Sequence, residues 1–230
     1  MSEKKLAIKL STLEGIGDAV RSKEGSTEPI PVNVLAKRID ALQIASGENK
    51  LNQYFTKTLT EVTVEDLNGK TSIESYAFDN FTQLVSVAIA DSVITIGDYA
   101  FRKCPIVSLT LGNNVTSIGR EAYSYCTVLP RVVIPDSVIS IGNWAFDNND
   151  SLVDLTIGRG IQSIGKGGFA KFLGQKMIVR ILATTPPSIN ADTFQVTKIN
   201  KIIVPKGCGD AYKTATNWAN YADFIEEAAE

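Results

Sequence analysis

The sequence predicts a β-rich α/β solenoid with a short helical module in front of it and a helical cap behind. Three observations predict it. One seven-residue motif returns five times at near-constant spacing, an alternating apolar pattern returns between its copies, and the two flanking segments fit neither. The motif reads SIESYAF at Ser72–Phe78, TIGDYAF at Thr95–Phe101, SIGREAY at Ser117–Tyr123, SIGNWAF at Ser140–Phe146 and SIGKGGF at Ser163–Phe169. Its isoleucines, Ile73, Ile96, Ile118, Ile141 and Ile164, stand 23, 22, 23 and 23 residues apart, and the aromatics Phe78, Phe101, Tyr123, Phe146 and Phe169 keep the same intervals.

The second pattern places Leu84/Val87/Ile89, Ile106/Leu109/Leu111, Leu129/Val132/Ile134 and Leu152/Leu155/Ile157 inward. The last two members of each set alternate with polar or small residues, which is strand periodicity. Each repeat then reads as a short strand, a polar turn, an Ile-Gly corner and a compact helical or 3₁₀ turn carrying Ala-Phe. One such unit cannot bury its own apolar face. Stacking places isoleucine on isoleucine, aromatic on aromatic and strand beside strand, with an advance of about 4.8 Å per repeat. Gly97, Gly119, Gly142 and Gly165 follow the isoleucines, so the corner is expected to need positive φ or a close backbone approach. Cys104 and Cys126 share one place, three after the aromatic, with Phe81, Asn149 and Phe172. That place reads as an interior stacking position for buried free thiols, ahead of a disulfide between adjacent coils and of a functional thiol.

The solenoid needs covered ends. Met177–Leu182 and Ile199–Val204 read as late strands, Ala191–Phe194 as a degenerate Ala-Phe turn, and Asp210–Thr214 with Trp218–Glu227 as short helices over the final coil, Trp218 packing rather than binding. At the other end Glu61–Leu67 reads as the first coil. Before it, Ser11–Lys23 and Val32–Ile44 read as two amphipathic helices around a Gly/Pro-rich break, with residues 47–50 as a linker. The expected division is a helical attachment module at 1–48, repeats at 49–175 and a capping region at 176–230.

Composition excludes several kinds of chemistry. There is no histidine in the 230 residues, which removes Ser/His/Asp and Cys/His catalysis and histidine-bearing zinc sites. Lys+Arg 23 against Asp+Glu 25, with no basic run, gives no electrostatic reason for nucleic acid as a partner. Three cysteines without CxxC spacing suit neither a disulfide framework nor zinc. Gly165–Gly168 lacks the remainder of a phosphate loop. Asp91 and Asp136 would be the carboxylate pair of any enzyme, but Asn113 holds the equivalent place between them. The reading is a non-enzyme with no metal and no cofactor. No apolar run is long enough for a membrane span or a secretory signal, so the chain is expected to be made in the cytoplasm without membrane insertion.

The SIGxxAF…L-x-x-V-x-I-P-x-S-V pattern resembles the BspA-type (treponemal-type) leucine-rich repeats, and the ending TTPPSI…FQVTKINKIIVPKGCGDAYKTATNWANYADFI resembles the terminal cap of that family, over about residues 55–225. The resemblance implies a leucine-rich-repeat solenoid, and recognition of a protein or glycan receptor, since family members are commonly surface or secreted adhesins. The segment LSTLEGIGDAVRSKEGSTEPIPVNVLAKRIDAL resembles a short N-terminal module of phage and prophage tail or baseplate-associated proteins. It matches at Ile16, Asp18, Ala19, Arg21, Lys23, Gly25, Ile30 and Ile39, with Val20 and Leu35 as apolar substitutes. It departs at Gly17, Glu24 and Pro31. That second resemblance implies a virion-associated structural or recognition protein (tail, baseplate or fibre), joined to other virion proteins through residues 1–48, with homo-oligomerisation as a further expectation. The alternative is a bacterial cell-surface adhesin-like protein.

Two sets of residues are candidates for binding. The outward strand positions make one row of Thr63, Ala88, Thr110, Val133 and Thr156, and a second that includes Arg131 and Asp154. Their small and mildly apolar character suits protein contact, and an ordinary solvated sheet face is the competing reading. Tyr76, Tyr99 and Trp144 stand two residues before the repeat aromatic. They form a candidate stripe for stacking on sugar rings, against packing between coils.

Overall fold

A computed structural model describes residue 53 and residues 57–170 and 175–229; the helical module expected over residues 1–48 lies outside the described residues. The chain divides into two compact units, Met1–Leu59 and Thr60–Glu230, and the second is the solenoid.

Each coil contributes to two series of parallel strands. The main series is β1 (Glu61–Val62), β3 (Ser86–Ala88), β5 (Ser108–Thr110), β7 (Arg131–Ile134), β9 (Asp154–Ile157), β11 (Met177–Ile181), β12 (Ile199–Val204) and β13 (Ile225–Glu227). The second is β2 (Ser72–Ile73), β4 (Thr95–Ile96), β6 (Ser117–Ile118), β8 (Ser140–Ile141) and β10 (Ser163–Ile164), in one five-stranded sheet. What the sequence presented as an Ile-Gly corner is thus a two-residue strand followed by glycine. Pairing is in register from coil to coil, Ile73 with Ile96, Ile96 with Ile118, and Ile118 with Ile141. Those isoleucines are at most 3% exposed.

The glycines that follow serve close approach alone. A Cβ on Gly142 would sit 2.6 Å from the Arg120 nitrogen and 2.7 Å from the Gly119 carbonyl carbon of the preceding coil. Positive φ falls elsewhere, at Tyr76, Tyr99, Glu121, Trp144 and Gly167, with φ between 50° and 62°, and again at Asn80, Lys103, Tyr125 and Asn148. Left-handed conformation costs a side-chain-bearing residue about 1–2 kcal/mol. Here it is imposed by hydrogen bonds between coils: Tyr99 N–H donates to Arg120 O at 2.8 Å, Glu121 N–H to Asn143 O at 3.0 Å and Trp144 N–H to Lys166 O at 2.8 Å. The segment is a succession of such turns, where the sequence suggested helical or 3₁₀ geometry.

Between the two strand series runs a column of rings. Phe78, Phe101, Tyr123, Phe146, Phe169 and Phe194 stack with centroids 4.9, 5.1, 5.2, 5.1 and 5.6 Å apart. Phe194 shows that Ala191–Phe194 is a true, if degenerate, copy of the motif. Leu84, Val87, Ile89 and their counterparts other than Leu109 are buried, and Cys104 and Cys126 are fully buried without forming a disulfide.

The main series is not continuous. It divides into β1–β3–β5 and a five-stranded sheet in the order β13–β12–β11–β9–β7. Pro130 supplies the reason. The residue before each strand donates to its counterpart one coil back: Val85 N–H to Thr60 O at 2.9 Å, Val107 N–H to Val85 O at 2.8 Å and Val153 N–H to Pro130 O at 3.0 Å. Proline has no N–H, so the Val107 carbonyl lacks the equivalent donor and the ladder stops between β5 and β7. Leu109, expected inside, is half-exposed at this break, whereas Val87 and Val132 are 1% exposed.

The C-terminal cap is less helical than expected. The α-helix α1 spans Gly209–Thr214, a 3₁₀ segment spans Trp218–Phe224, and Ile225–Glu227 is strand β13 rather than the end of a helix. Ile225 pairs with Ile202, because the cap returns its last residues to the exposed edge of the sheet. Three buried aromatics fasten the cap. Trp218 Nε1–H donates to Pro187 O and Tyr212 Oη–H to Ala183 O, each at 2.8 Å, and Tyr221 Oη lies 3.1 Å from Ala191 O and 3.0 Å from Phe194 O. The Glu227 carboxylate accepts the Gly207 and Gly209 N–H groups at 2.9 and 2.8 Å, tying the start of α1 to β13.

Candidate recognition surface

The outer face of the main series carries the predicted rows in register. Ser86 is opposite Ser108 and Ala88 opposite Thr110; beyond the break, Arg131 is opposite Asp154 and Val133 opposite Thr156. Thr63 stands just outside β1, and both its N–H and its hydroxyl donate to Asp66 Oδ2, at 2.9 and 2.8 Å. It belongs to a local turn more than to the row. The rows therefore form two separate arrays, one on each side of Pro130, and not the unbroken line read from the sequence.

The arrays differ in charge. The first is small and bears one acidic residue: Ser86, Ala88, Ser108 and Thr110, with exposed Glu61 opposite Ser86 at its edge. The second is ionic. Asp154 faces Arg131 Nε at 3.4 Å and pairs with the Arg180 guanidinium, and farther on Lys201 Nζ lies 3.2 Å from Glu226 Oε2. Exposed ion pairs of this kind contribute about 0–1 kcal/mol to stability. The Arg131 side chain is 64% exposed.

A further row adjoins these, and its place in the sequence did not draw attention to it. Val85, Val107, Pro130 and Val153, each directly before a strand, are all exposed, Val107 at 56% and Val133 in the neighbouring row at 49%. The available signal was an apolar residue on the outward side of each buried leucine or isoleucine, repeated in register across coils.

The aromatic stripe lies in the turns. Tyr76 and Tyr99 stack at 4.7 Å with 11° between their planes. The Arg102 guanidinium lies 4.8 Å from the Tyr99 ring centre, and Arg120 lies 5.6 Å from Tyr99 and 5.1 Å from Trp144. Trp144 also overlies Gly167, where a Cβ would come within 2.7 Å of its Nε1. Arg102 is held by Asp79, and Arg120 reaches Glu121 at 3.4 Å. Partial burial, and then the Glu121 carboxylate, raise the Tyr99 hydroxyl above its ordinary pKa. The structure thus brings Tyr76, Tyr99 and Trp144 together through Arg120, with Tyr76 the most exposed of the three.

Along the second sheet runs a shallow groove of about 540 Å³, lined by Ser117, Ser140, Ser163 and Ser188 with Arg120 and Asn143. It presents hydroxyls and amides. Asp91 and Asp136 are spent on the solenoid itself, accepting the Asn113 and Arg159 N–H groups at 2.7 and 2.8 Å. Among the described residues, no group of three or more His, Cys, Asp or Glu could hold a metal ion, and no helix is long and apolar enough to cross a membrane.

Proteins of solved structure are similar to this chain. The pneumococcal vaccine antigen PcpA aligns with a TM-score of 0.60 at 22% identity, over 75% of this chain and 42% of that one. A leucine-rich repeat protein of T. pallidum aligns at 28% identity with a TM-score of 0.49, over 53% of this chain and 58% of its own. A leucine-rich cell surface protein of Faecalibacterium prausnitzii aligns at 20% identity with a TM-score of 0.37, over 77% of this chain and 62% of its own. The chain therefore spans less than two thirds of each of these structures. No curated protein sequence matches it. The model of the BspA-type leucine-rich repeat region matches residues 50–173 and 96–217, with six copies of the repeat. Matched over more than half of its length, the chain belongs to the BspA-type leucine-rich repeat family.

Proposed function

We propose that the chain is a non-enzymatic recognition protein of bacterial cell-surface, adhesin-like type, which holds a protein or glycan receptor against the outer face of the main strand series. One observation carries this reading: Ala88, Thr110, Val133 and Thr156 project outward, exposed or half-exposed, from strands whose register is fixed by stacked coils, giving two preformed arrays on one face. Family membership supports it. A preorganised surface loses little conformational entropy on binding, which favours recognition. The test is binding of the purified full chain to a glycan array and to a panel of extracellular proteins, beside a Thr110→Arg/Thr156→Arg variant. Saturable binding that the variant loses is the expected result; binding untouched by both arginines overturns the assignment of the face. Surface labelling of intact producing cells tests the location.

A second reading is favoured by the Ile16/Asp18/Ala19/Arg21/Lys23/Gly25 pattern. In it, the chain is a phage or prophage virion component, attached to other virion proteins through residues 1–48 and assembled as a homo-oligomer. Removing residues 1–48 would then abolish incorporation into particles, and normal incorporation of the shortened chain would exclude it.

A further inference from the structure

We propose that the stripe Val85–Val107–Pro130–Val153 binds an extended segment of a partner protein that carries apolar side chains beside a carboxylate, with Arg131 as the carboxylate anchor. This deepens the reading that the main face recognises a ligand, and it selects protein over glycan.

The stripe crosses four coils. At about 4.8 Å per coil it is about 14 Å long, the span of roughly four residues of extended chain. Its side chains are exposed, with Val107 at 56%, and contiguous exposed apolar surface marks contact sites. At its centre, Pro130 brings no N–H to the Val107 carbonyl, so the inter-coil bond that joins Val107 to Val85 has no counterpart there.

Charge specifies the rest of the segment. Arg131 follows Pro130 directly, and Arg131 and Arg180 share the single carboxylate of Asp154. Two guanidinium groups on one carboxylate leave net positive charge beside the stripe. Arg131 is the more weakly held and the more exposed, at 64% against 40% for Arg180. A guanidinium fork grips a carboxylate in two-point fashion, which gives both energy and register. A glycan fits less well. Sugar rings stack on open aromatic faces, and the stripe has no aromatic residue. Tyr99 is already covered by Tyr76, Arg102 and Arg120, and Trp144 by Arg120 and the backbone at Gly167.

The test is selection of a displayed random-peptide library on the full chain, then fluorescence anisotropy of the recovered peptides on wild type, Val107→Asp and Arg131→Glu. Both substitutions fall on exposed side chains, and unchanged thermal unfolding establishes that the variants fold. Recovered peptides should combine Asp or Glu with Val, Leu, Ile or Phe, and should bind each variant at least roughly tenfold more weakly. Peptides without acidic residues, peptides indifferent to both variants, or no recovered peptide overturn the proposal. A glycan array run in parallel separates the two readings. Glycan binding lost in Thr110→Arg/Thr156→Arg but kept in Arg131→Glu overturns this proposal and leaves the wider one standing, whereas absence of any ligand overturns both.

Discussion

Replacing Tyr123 with phenylalanine removes one oxygen from the centre of the ring column. Tyr123 lies between Phe101 and Phe146, 5.1 and 5.2 Å from their centres, and is fully buried. Its hydroxyl has no hydrogen-bond partner. Burial, with the Cys126 and Cys104 thiols as its polar neighbours, pushes that hydroxyl well above its ordinary pKa. A buried hydroxyl left unpaired costs about 1–3 kcal/mol. The phenyl ring keeps the stacking and nearly all the apolar contact, so Tyr123→Phe should stabilise the chain by about 1–2 kcal/mol. For a chain of this size each kcal/mol moves Tm by about 2–4 °C. Urea unfolding with an unchanged m-value measures it, and the reverse substitution, Phe146→Tyr, should cost a similar amount because its new hydroxyl enters the same dry column. Destabilisation of Tyr123→Phe by more than about 1 kcal/mol, or no change beyond error, would refute the reasoning, since it would mean that the hydroxyl has a partner that offsets its burial.

Three other outcomes follow from the same geometry. Gly142→Ala should destabilise by at least about 1–3 kcal/mol, as overpacking does, because the new methyl meets backbone at 2.6 Å; an undisturbed urea midpoint would show that the coils can part. Under a thiol reagent at neutral pH, half-exposed Cys208 should react first, while Cys104 and Cys126 react only on unfolding, burial having pushed the Cys126 thiol up. Three thiols modified together in the native protein would contradict the packing. The Gly207 and Gly209 N–H groups hold the Glu227 carboxyl below its ordinary value of 4.5, so its contribution to the cap is present above that value and is lost as pH falls through the lower folded pKa. Glu227→Gln should therefore flatten the acid side of a stability-against-pH profile, and a profile identical to wild type would remove the link between β13 and α1.

The repeat was legible because its cause is local and recurrent. Ile73, Ile96, Ile118, Ile141 and Ile164 must stack, so their spacing declares the coil, and the column of rings follows from the aromatic spacing alone. What stayed hidden depends on relations between coils. Nothing at Tyr99 or Trp144 announces a left-handed backbone, a conformation these residue types avoid; it is imposed by the next coil's carbonyls. The Ser-Ile strands are too short for periodicity to register. β13 is strand because an edge was available to pair with, while Trp218-Ala-Asn-Tyr-Ala-Asp-Phe224 pointed the reading toward helix. Of the candidate surface, the rows were legible from strand alternation, but their interruption was not, since it arises from one missing N–H in Pro130 and is visible only once β5 and β7 are placed side by side.

That interruption bears on where selectivity can reside. Stacked repeats tend to average a surface: each row presents similar side chains at a fixed interval, and a uniform row grips many ligands at many registers. A ligand is fixed at one register only where uniformity fails. On the main face it fails at Pro130 and Arg131, where backbone pairing stops, apolar exposure is greatest and an arginine shares its carboxylate with a second guanidinium. In the turns it fails where Glu121 and Gly167 replace the aromatic residues of Tyr76, Tyr99 and Trp144, which confines stacking to one end of the stripe. The first of these combines a charge and apolar surface in one place. If the main face binds as proposed, a single substitution there should change what is bound, while Thr110→Arg/Thr156→Arg should block the face as a whole.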